Sequence, residues 1–577
     1  MEGIVNPFVE EILEKTAAAT GLEVGVLREL LSVPPDEGMG DYAIPCFTLA
    51  KTLRKSPVEI AREVAGEVAP LVVDGERIAR VSAAGPYVNF SLNRRCFIEY
   101  VLGEVRSGGE NYGSGDQGAG KTLVIDFSSP NLARPFSIAH LRSTAIGHAI
   151  YRIHRFLGWH CVGINHMGDY GANFGQLLAA YIKWADPEKV RANPVPELLA
   201  LYIRFNEEKE ANPDIQEEAR VCLRRLADGD EEMVSLWRFF IDEGRAEAER
   251  IYDILDVHFD EFLGESFFAD KLDDVVELFQ KAGLAEESDG ALIVRLDGDG
   301  EDLPAPCMLR TSNGTSTYHS RDIAALLHRH EKYGFDRMVY VTDMRQMLHF
   351  RQLFKALKLL GVDWIDSSSH APFGMMSFKG EAMATRKGNI VFLEEVLDRA
   401  VELTTAIIDE KNPDLKDKQA VARQVGISAV IFADVSNRRT RDIIFDLKDV
   451  LNFDGETGPY IQYTHARFCS ILRKHGRPVD PEADLSVLDQ LAEMRVARKL
   501  SEFPRQLQSA AEESEPSYIA SFLIDLATVA NKFYNELPVL VGGDENLTAA
   551  RIRLVDGVRT VMRTGLSLLG MNAPEEM

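Results

Sequence analysis

The chain has 577 residues, enough for two to four domains, and its 45% hydrophobic and 27% charged content is ordinary for a globular protein. No apolar run reaches the roughly 18 residues of a membrane span, and residues 1–10 lack the basic start and apolar stretch of a signal peptide, so a cytoplasmic protein with no membrane partner is expected. The net charge of −26 speaks against a uniformly basic nucleic-acid binder, and six cysteines scattered without a C-x-x-C pair offer neither a disulfide framework nor a zinc site.

Residues 1–115 predict a small α/β domain. Apolar residues recur at helical spacing over 7–16, and Ser56 followed by Pro57 starts a second helix over 56–68. Residues 77–92 predict strands around the turn Ala84-Gly85-Pro86. The glycine-rich stretch 107–120 predicts a linker. Next, TLVIDF over 122–127 predicts a buried strand, 138–157 a helix and 159–165 another strand, a βαβ unit implying a parallel sheet. Residues 194–283 predict an acidic helical insertion. Strands at 291–295, 306–310 and 337–342, with a helix over 322–332, would complete the second half of a nucleotide-binding fold. From about 393 onward helical spacing dominates, with loops at 475–484 and 537–546.

The expected division is therefore 1–115, 116–395 with an insertion at about 194–300, and 396–577. The fold class is multidomain α/β plus all-α, with a Rossmann-like centre and a helical C-terminal domain. Charge follows the same division. Residues 201–280 hold 23 acids against 9 bases, a net of −14, whereas 421–577 hold 22 against 18, a net of −4. Phosphate binding needs a local basic face, so the C-terminal region stays open to a nucleic acid. The acidic insertion fits a solvated helical face.

Five segments carry candidate chemistry. SSPNLARPFSIAHLRS over 128–143 lies between a strand and a helix, where a parallel sheet binds ligands and free helix N–H groups favour phosphates; His140 in the first turn can donate to a phosphate oxygen. A helix-capping loop with a satisfied histidine fits the same residues. NHMGDYGANFGQ over 165–176 predicts a tight turn near that edge. In TYHSRD over 317–322, Tyr318 and Asp322 share a helix face, and a phenol beside a carboxylate suits a guanidinium ligand. A helix-start carboxylate paired with Arg321 or solvent is the alternative. MATRKG over 383–388 sets Arg386 and Lys387 side by side, either a surface turn or a means of neutralising charge on a departing pyrophosphate. GETGPYIQYTHARFCSILRK over 455–474 interleaves Tyr460 and Tyr463 with Arg467, Arg473 and Lys474, fit to stack bases and hold phosphates or to pack inward.

These segments together resemble arginyl-tRNA synthetases, of the class I aminoacyl-tRNA synthetase family, in order and spacing over nearly the whole chain. Residues 128–143 resemble the family's S-P-N-x-A-K/R-P-F stretch with its HIGH variant, Ser137-Ile-Ala-His140 here; Ser137 stands for the first histidine and Ala139 for the glycine. Asn173 stands where glutamine is common in the second segment. Residues 383–388 resemble the KMSKS loop, with Ala384 for serine, and Phe373-Gly-Met-Met376 resembles the strand whose backbone reads adenine.

The resemblance implies ATP-dependent activation of L-arginine and its transfer to the 3′ end of tRNA(Arg), with Mg2+ accompanying ATP and a monomeric enzyme. It implies His140, Arg134, Ser137, Arg386 and Lys387 as catalytic residues. It implies Asp126, Ser129, Asn131, His140, Tyr318, Asp322 and Gln346 as arginine contacts. Ser137, His140, Gly374, Met375, Met376, Met383 and Thr385 would contact ATP. Asn89 in GPYVNF over 85–90, with GDYAIPCFTLAK over 40–51, resembles the domain that touches the tRNA elbow. Tyr460, Gln462, Tyr463, Arg467 and Met577 would contact tRNA at the anticodon-binding domain, where Glu576 replaces a usual arginine. Two other classes share many of these features: a non-catalytic RNA-binding relative and a class I synthetase for another amino acid. Pyrophosphate exchange separates the first; Tyr318 and Asp322 discriminate the second.

Overall fold

Residues 6–72, 76–297, 303, 305–312, 314–378 and 391–577 are described by a computed structural model. Among them thirteen strands form four sheets. Asn6 caps the first helix, Pro7–Thr20, through its side chain, and Ser56 and Glu59 form a capping box on the helix Pro57–Val68, with Pro57 in the first turn as expected. The latter helix covers an antiparallel sheet of β1 (Tyr42–Pro45), β2 (Ile78–Ala84) and β3 (Tyr87–Leu92), ordered β1-β3-β2, and the first helix packs on it.

The stretch 107–120 is no loose linker. The helix Arg94–Gly108 runs into it, the Tyr112 ring is buried, and its hydroxyl donates to Leu500 O at 3.2 Å. Some of its glycines serve close packing, while Gly109 and Gly120 serve turns with φ of 52° and 75°. A Cβ on Gly118 would come within 2.2 Å of the Trp159 ring.

The central sheet is parallel and holds β4 (Thr122–Asp126), β5 (His160–Asn165), β6 (Glu261–Phe262), β10 (Arg337–Tyr340) and β11 (Ser368–His370), in the order β11-β10-β4-β5-β6. Both faces are covered, so the middle residues of β4, β5 and β10 are apolar, while the edge strands β6 and β11 are short and polar. Leu123, Ile125 and Val339 face one core with the helix Ala139–Phe156, while Val124, Val162 and Met338 face another with the helices Tyr318–Tyr333 and Met347–Leu359.

Strand order reverses between β4 and β10, which opens a crevice at their carboxyl ends. Two expected strands form but join another sheet. β8 (Ala291–Val294) and β9 (Cys307–Arg310) pair antiparallel with each other, and β8 pairs with β7 (Ala285–Ser288), outside the nucleotide-binding sheet. The parallel edges are instead β6 and β11.

Helices Pro194–Ala211, Ile215–Ala227 and Glu231–Leu255, the first and last of them acidic, form the insertion before β6. The C-terminal region is helical, with Leu393–Lys411, Lys418–Val435, Gly458–His475, Leu491–Glu512, Ser517–Glu536 and Glu545–Leu568. β12 (Met376–Phe378) pairs in parallel with β13 (Ile443–Phe445), so strand pairing crosses residue 395, where the domain boundary is expected.

Candidate active site

The loop after β4 reaches the crevice through two residues with left-handed backbone, Ser128 at φ 66° and Ser129 at φ 46°. Such a conformation is costly for non-glycine residues and needs support. Ser128 N–H donates to Ser143 Oγ at 2.8 Å, and its hydroxyl lies 2.8 Å from both Tyr252 Oη and Thr144 Oγ1. Ser129 Oγ donates to Asp126 Oδ1 at 2.7 Å and accepts the His166 N–H at 2.9 Å. The first and second motif segments meet directly. Asn131 forms a parallel bridge with Gly168, whose N–H donates to Pro130 O at 3.0 Å.

Asp169 of the second motif holds the next piece of chain. Its carboxylate accepts Ser266 N–H at 2.8 Å and Ser266 Oγ at 2.5 Å, and a Cβ on Gly264 would meet its Oδ2 at 2.1 Å. This fixes Glu265, which accepts from Arg321 Nη1 at 3.1 Å. Burial pushes the Glu265 carboxyl up to about 7 against the opposing charge of Arg321, with Asp322 and Asp169 adding to the rise.

His140 sits in the first turn of the helix Ala139–Phe156, beside the Phe136 ring at 4.9 Å. Its Nδ1 accepts the Ser137 backbone N–H at 3.0 Å, with Ser137 Oγ at 3.3 Å. A backbone N–H can only donate, so the imidazole proton lies on Nε2. Burial lowers the ring's pKa to about 4; the Ser137 contact opposes this and Arg134 adds to it. His140 is thus a neutral Nε2–H donor. Arg134 is exposed, and its Nε and Nη2 donate to Tyr202 Oη at 3.0 and 2.7 Å while its guanidinium lies over the Tyr202 ring. Sequence reasoning did not single out this tyrosine, which comes from the insertion helix Pro194–Ala211.

Asp126 closes β4. Arg329 from the helix Tyr318–Tyr333 forms a buried ion pair with Asp126 Oδ2 at 2.8 Å. The same helix begins at Tyr318, as the one-face pairing with Asp322 requires. Tyr318 is 66% exposed and Arg321 lies over its ring at 5.4 Å, so one π face already takes a guanidinium. Burial pushes the Asp322 carboxyl up, but the hydrogen bond and charge of His349, with His166 and Arg329, hold it below the usual carboxylate range. Gln346 is exposed in the 3-10 turn Met344–Gln346, which Phe373 O anchors by accepting the Met344 N–H at 2.9 Å.

The expected adenine strand lies beside these groups. Gly374 N–H donates to Arg439 O, Gly374 O accepts from Arg142 Nη1, and Met375 bonds through its N–H to Asp442 Oδ1 and through its O to the Ile443 N–H. Alternation along a parallel strand then turns the Met376 backbone groups away from β13. Met383, Thr385, Arg386 and Lys387 fall outside the described residues.

In the C-terminal region a cavity of about 590 Å³ is lined by Tyr463, Arg467, Arg473, Lys474, Tyr534 and Met577, among others. Arg467 lies over the rings of Tyr463 and Tyr534 at 4.9 and 5.5 Å and donates to Asn531 Oδ1. The Tyr460 hydroxyl accepts from Asn531 Nδ2 at 3.1 Å. Gln462 is fully buried and donates to Asn572 O at 2.7 Å, so it secures the C-terminal tail rather than facing the cavity. Glu576 lies 3.4 Å from Arg473. In the N-terminal domain Asn89 is only 4% exposed, while Tyr87 and Phe47 form an exposed edge-to-face pair.

A reversed parallel sheet with a phosphate-suited helix start at its carboxyl edge and a helical domain beyond it is the architecture of class I aminoacyl-tRNA synthetases. Residues 107–447 match the family described as tRNA synthetases class I (R), catalytic domain; 461–577 match the DALR anticodon binding domain; and 8–92 match the arginyl tRNA synthetase N terminal domain. The chain belongs to the arginyl-tRNA synthetase family. It is 44% identical over 551 residues to the arginine–tRNA ligase of Alkaliphilus metalliredigens, covering 96% of each chain. It is 43% identical over 566 residues to that of Clostridium botulinum, covering 98% of this chain and 99% of the other. The Thermus thermophilus arginyl-tRNA synthetase structure superposes with a TM-score of 0.81 at 26% identity, over 98% of this chain and all of that one.

Proposed function

We propose that this chain is an arginine–tRNA ligase whose chemistry runs in the crevice between β4 and β10. What supports the reading is that the loop after β4 and the helix Tyr318–Tyr333 meet: Arg329 pairs with Asp126, and His166, whose N–H donates to Ser129, acts by its charge on Asp322. In this reading the neutral imidazole of His140 at a helix start serves the phosphates, and Tyr318 and Asp322 serve the guanidinium. The carboxylate of arginine attacks the α-phosphorus of ATP, the bond to the β-phosphate oxygen breaks, and pyrophosphate leaves. A ribose hydroxyl of the terminal adenosine of tRNA then attacks the activated carbonyl, and AMP leaves.

Each side chain has a place in this reading. Asp322, Tyr318 and Gln346 take the guanidinium; Asp126, Ser129 and Asn131 take the amino-acid end. The backbone of 374–376 takes adenine. His140 Nε2–H, aided by Ser137, Arg134 and the 383–388 loop with Arg386 and Lys387, takes the phosphates. Forked N–H pairs select arginine over the point charge of lysine. Mg2+ enters as part of the nucleotide substrate, held by phosphate oxygens. The aromatic and cationic cavity around Tyr463 and Arg467 takes an anticodon base, and the surface near Asn89 takes the tRNA elbow. The enzyme is a monomer of the cytoplasm.

The test is pyrophosphate exchange and aminoacylation with each of the twenty amino acids, with and without tRNA(Arg). Charging by arginine alone is expected. Charging by another amino acid, or tRNA binding without any exchange, overturns the reading.

A further inference from the structure

Asp322 is not left to find its own orientation. His349, on the helix Met347–Leu359, lies with Nε2 at 2.5 Å from Asp322 Oδ2. An ionised carboxylate only accepts, so His349 Nε2 carries the proton and donates. The His349 ring is itself clamped. It packs on His319 with ring centroids 4.4 Å apart and meets Phe350 edge-to-face at 5.3 Å.

His319 is fixed in turn. Gln352 donates both amide hydrogens to Ala305 O and Pro306 O, at 2.9 and 3.1 Å, which leaves its Oε1 to accept from His319 Nε2 at 3.2 Å. The row from the 305–306 backbone through Gln352, His319 and His349 ends on one oxygen of Asp322. A carboxylate pinned at one oxygen by a rigid donor keeps its plane fixed. A fixed plane is what a forked guanidinium reads and a freely rotating carboxylate does not offer.

We propose that His349 is a positioning residue for arginine recognition, acting through Asp322, an inference that rests on reading Asp322 as the guanidinium acceptor. The test uses the full-length enzyme with His349→Phe, which keeps a ring against His319 and Phe350 but removes the donor, and His349→Gln, which restores an N–H. Asp322→Asn is measured in parallel.

His349→Phe is expected to raise the arginine KM about tenfold, the effect of losing one hydrogen bond to a charged group. The ATP KM should stay within about twofold of the parent and kcat should change little, and His349→Gln should recover most of the arginine KM. An arginine KM within twofold of the parent in His349→Phe overturns the proposal. So does an equal rise in the KM for arginine and ATP without rescue by glutamine, which would mark a merely structural residue. If Asp322→Asn leaves the arginine KM unchanged, the reading of Asp322 falls and the proposal with it. If Asp322→Asn raises it and His349→Phe does not, only the role of His349 falls.

Discussion

His140 acts as a donor whose state the backbone sets. The Ser137 N–H occupies Nδ1, and burial holds the ring neutral with a pKa near 4. Between pH 6 and 8 its protonation therefore does not change, and adenylate formation should show no acid limb from this group above about pH 5. His140→Ala should slow single-turnover adenylation at least tenfold, about 1.4 kcal/mol of barrier. Ser137→Ala should cost less than threefold, because the positioning donor is the backbone N–H and the hydroxyl adds only a 3.3 Å contact. Rapid-quench measurement of adenylate checks both; equal losses in the two variants would give the hydroxyl the larger role. On the guanidinium side, Asp322→Ala should lower kcat/KM for arginine at least a hundredfold, about 2.7 kcal/mol, with the ATP KM near the parent value. An unchanged arginine kcat/KM in the folded variant removes Asp322 from the pocket. The histidine and the aspartate stand out in the sequence as candidates because motif spacing marks them. Their partners were not. Ser137 acts through its main chain, His349 is 27 residues from Asp322, and Arg329 reaches Asp126 from about 200 residues away.

At the level of elements, the helix Ala139–Phe156 joins the nucleotide side to the C-terminal region through one buried residue. Arg142 Nε donates to Asp434 Oδ1 at 2.7 Å, Nη1 to Gly374 O and Arg441 O at 2.7 and 2.9 Å, and Nη2 to Arg439 O at 3.2 Å. Burial pushes the Asp434 carboxyl up against the attraction of Arg142, so the pair is held by its geometry. Arg142→Ala would leave Asp434 buried without its partner and should destabilise the chain by about 3–5 kcal/mol. Arg142→Lys should recover little, since an ammonium lacks the fork that spans four acceptors. Urea unfolding measures the loss, and a change below 1 kcal/mol would show that the contact contributes little. The ATP KM should rise in the same variants, because Gly374 begins the strand proposed to take adenine. Long apolar strands and the capped helices were readable from periodicity and turn chemistry. β6 has two residues and β11 is Ser-Ser-His, too short and too polar to carry a pattern. β8 and β9 were readable as strands, but their sheet was not, because strand pattern alone leaves the partner unspecified.

Across the whole molecule, buried and half-buried histidines held in the neutral form tie stability to pH. His140, His154, His319, His370 and His465 are lowered to about 4 and His148 well below its ordinary value, each chiefly by burial. They lie in both the catalytic and the C-terminal helical regions. His154 shows the consequence at their junction. Its Nε2 accepts from Arg337 Nη1 at 3.0 Å while its Nδ1 donates to Ile150 O at 2.9 Å, so a second proton would set a cation against Arg337. Arg337 also donates to Ala511 O, Glu512 O and Ser514 Oγ, capping the end of the helix Leu491–Glu512. For a histidine whose folded pKa is lowered, the unfolded chain binds more protons between about 4 and 6.5. Its contribution is present above 6.5 and is lost as pH falls from 6.5 toward 4, on the order of 1 kcal/mol per group per pH unit. Glu265, raised to about 7, acts in the opposite direction, as do Glu247 and Asp434, but these are three carboxyls against six imidazoles. The thermal midpoint should therefore fall by several degrees between pH 7.5 and 5.5, before ordinary carboxylates titrate. His154→Gln, which can keep both hydrogen bonds without titrating, should show a smaller fall than the parent. A midpoint at pH 5.5 equal to or above that at pH 7.5 would mean that the buried carboxyls outweigh the histidines.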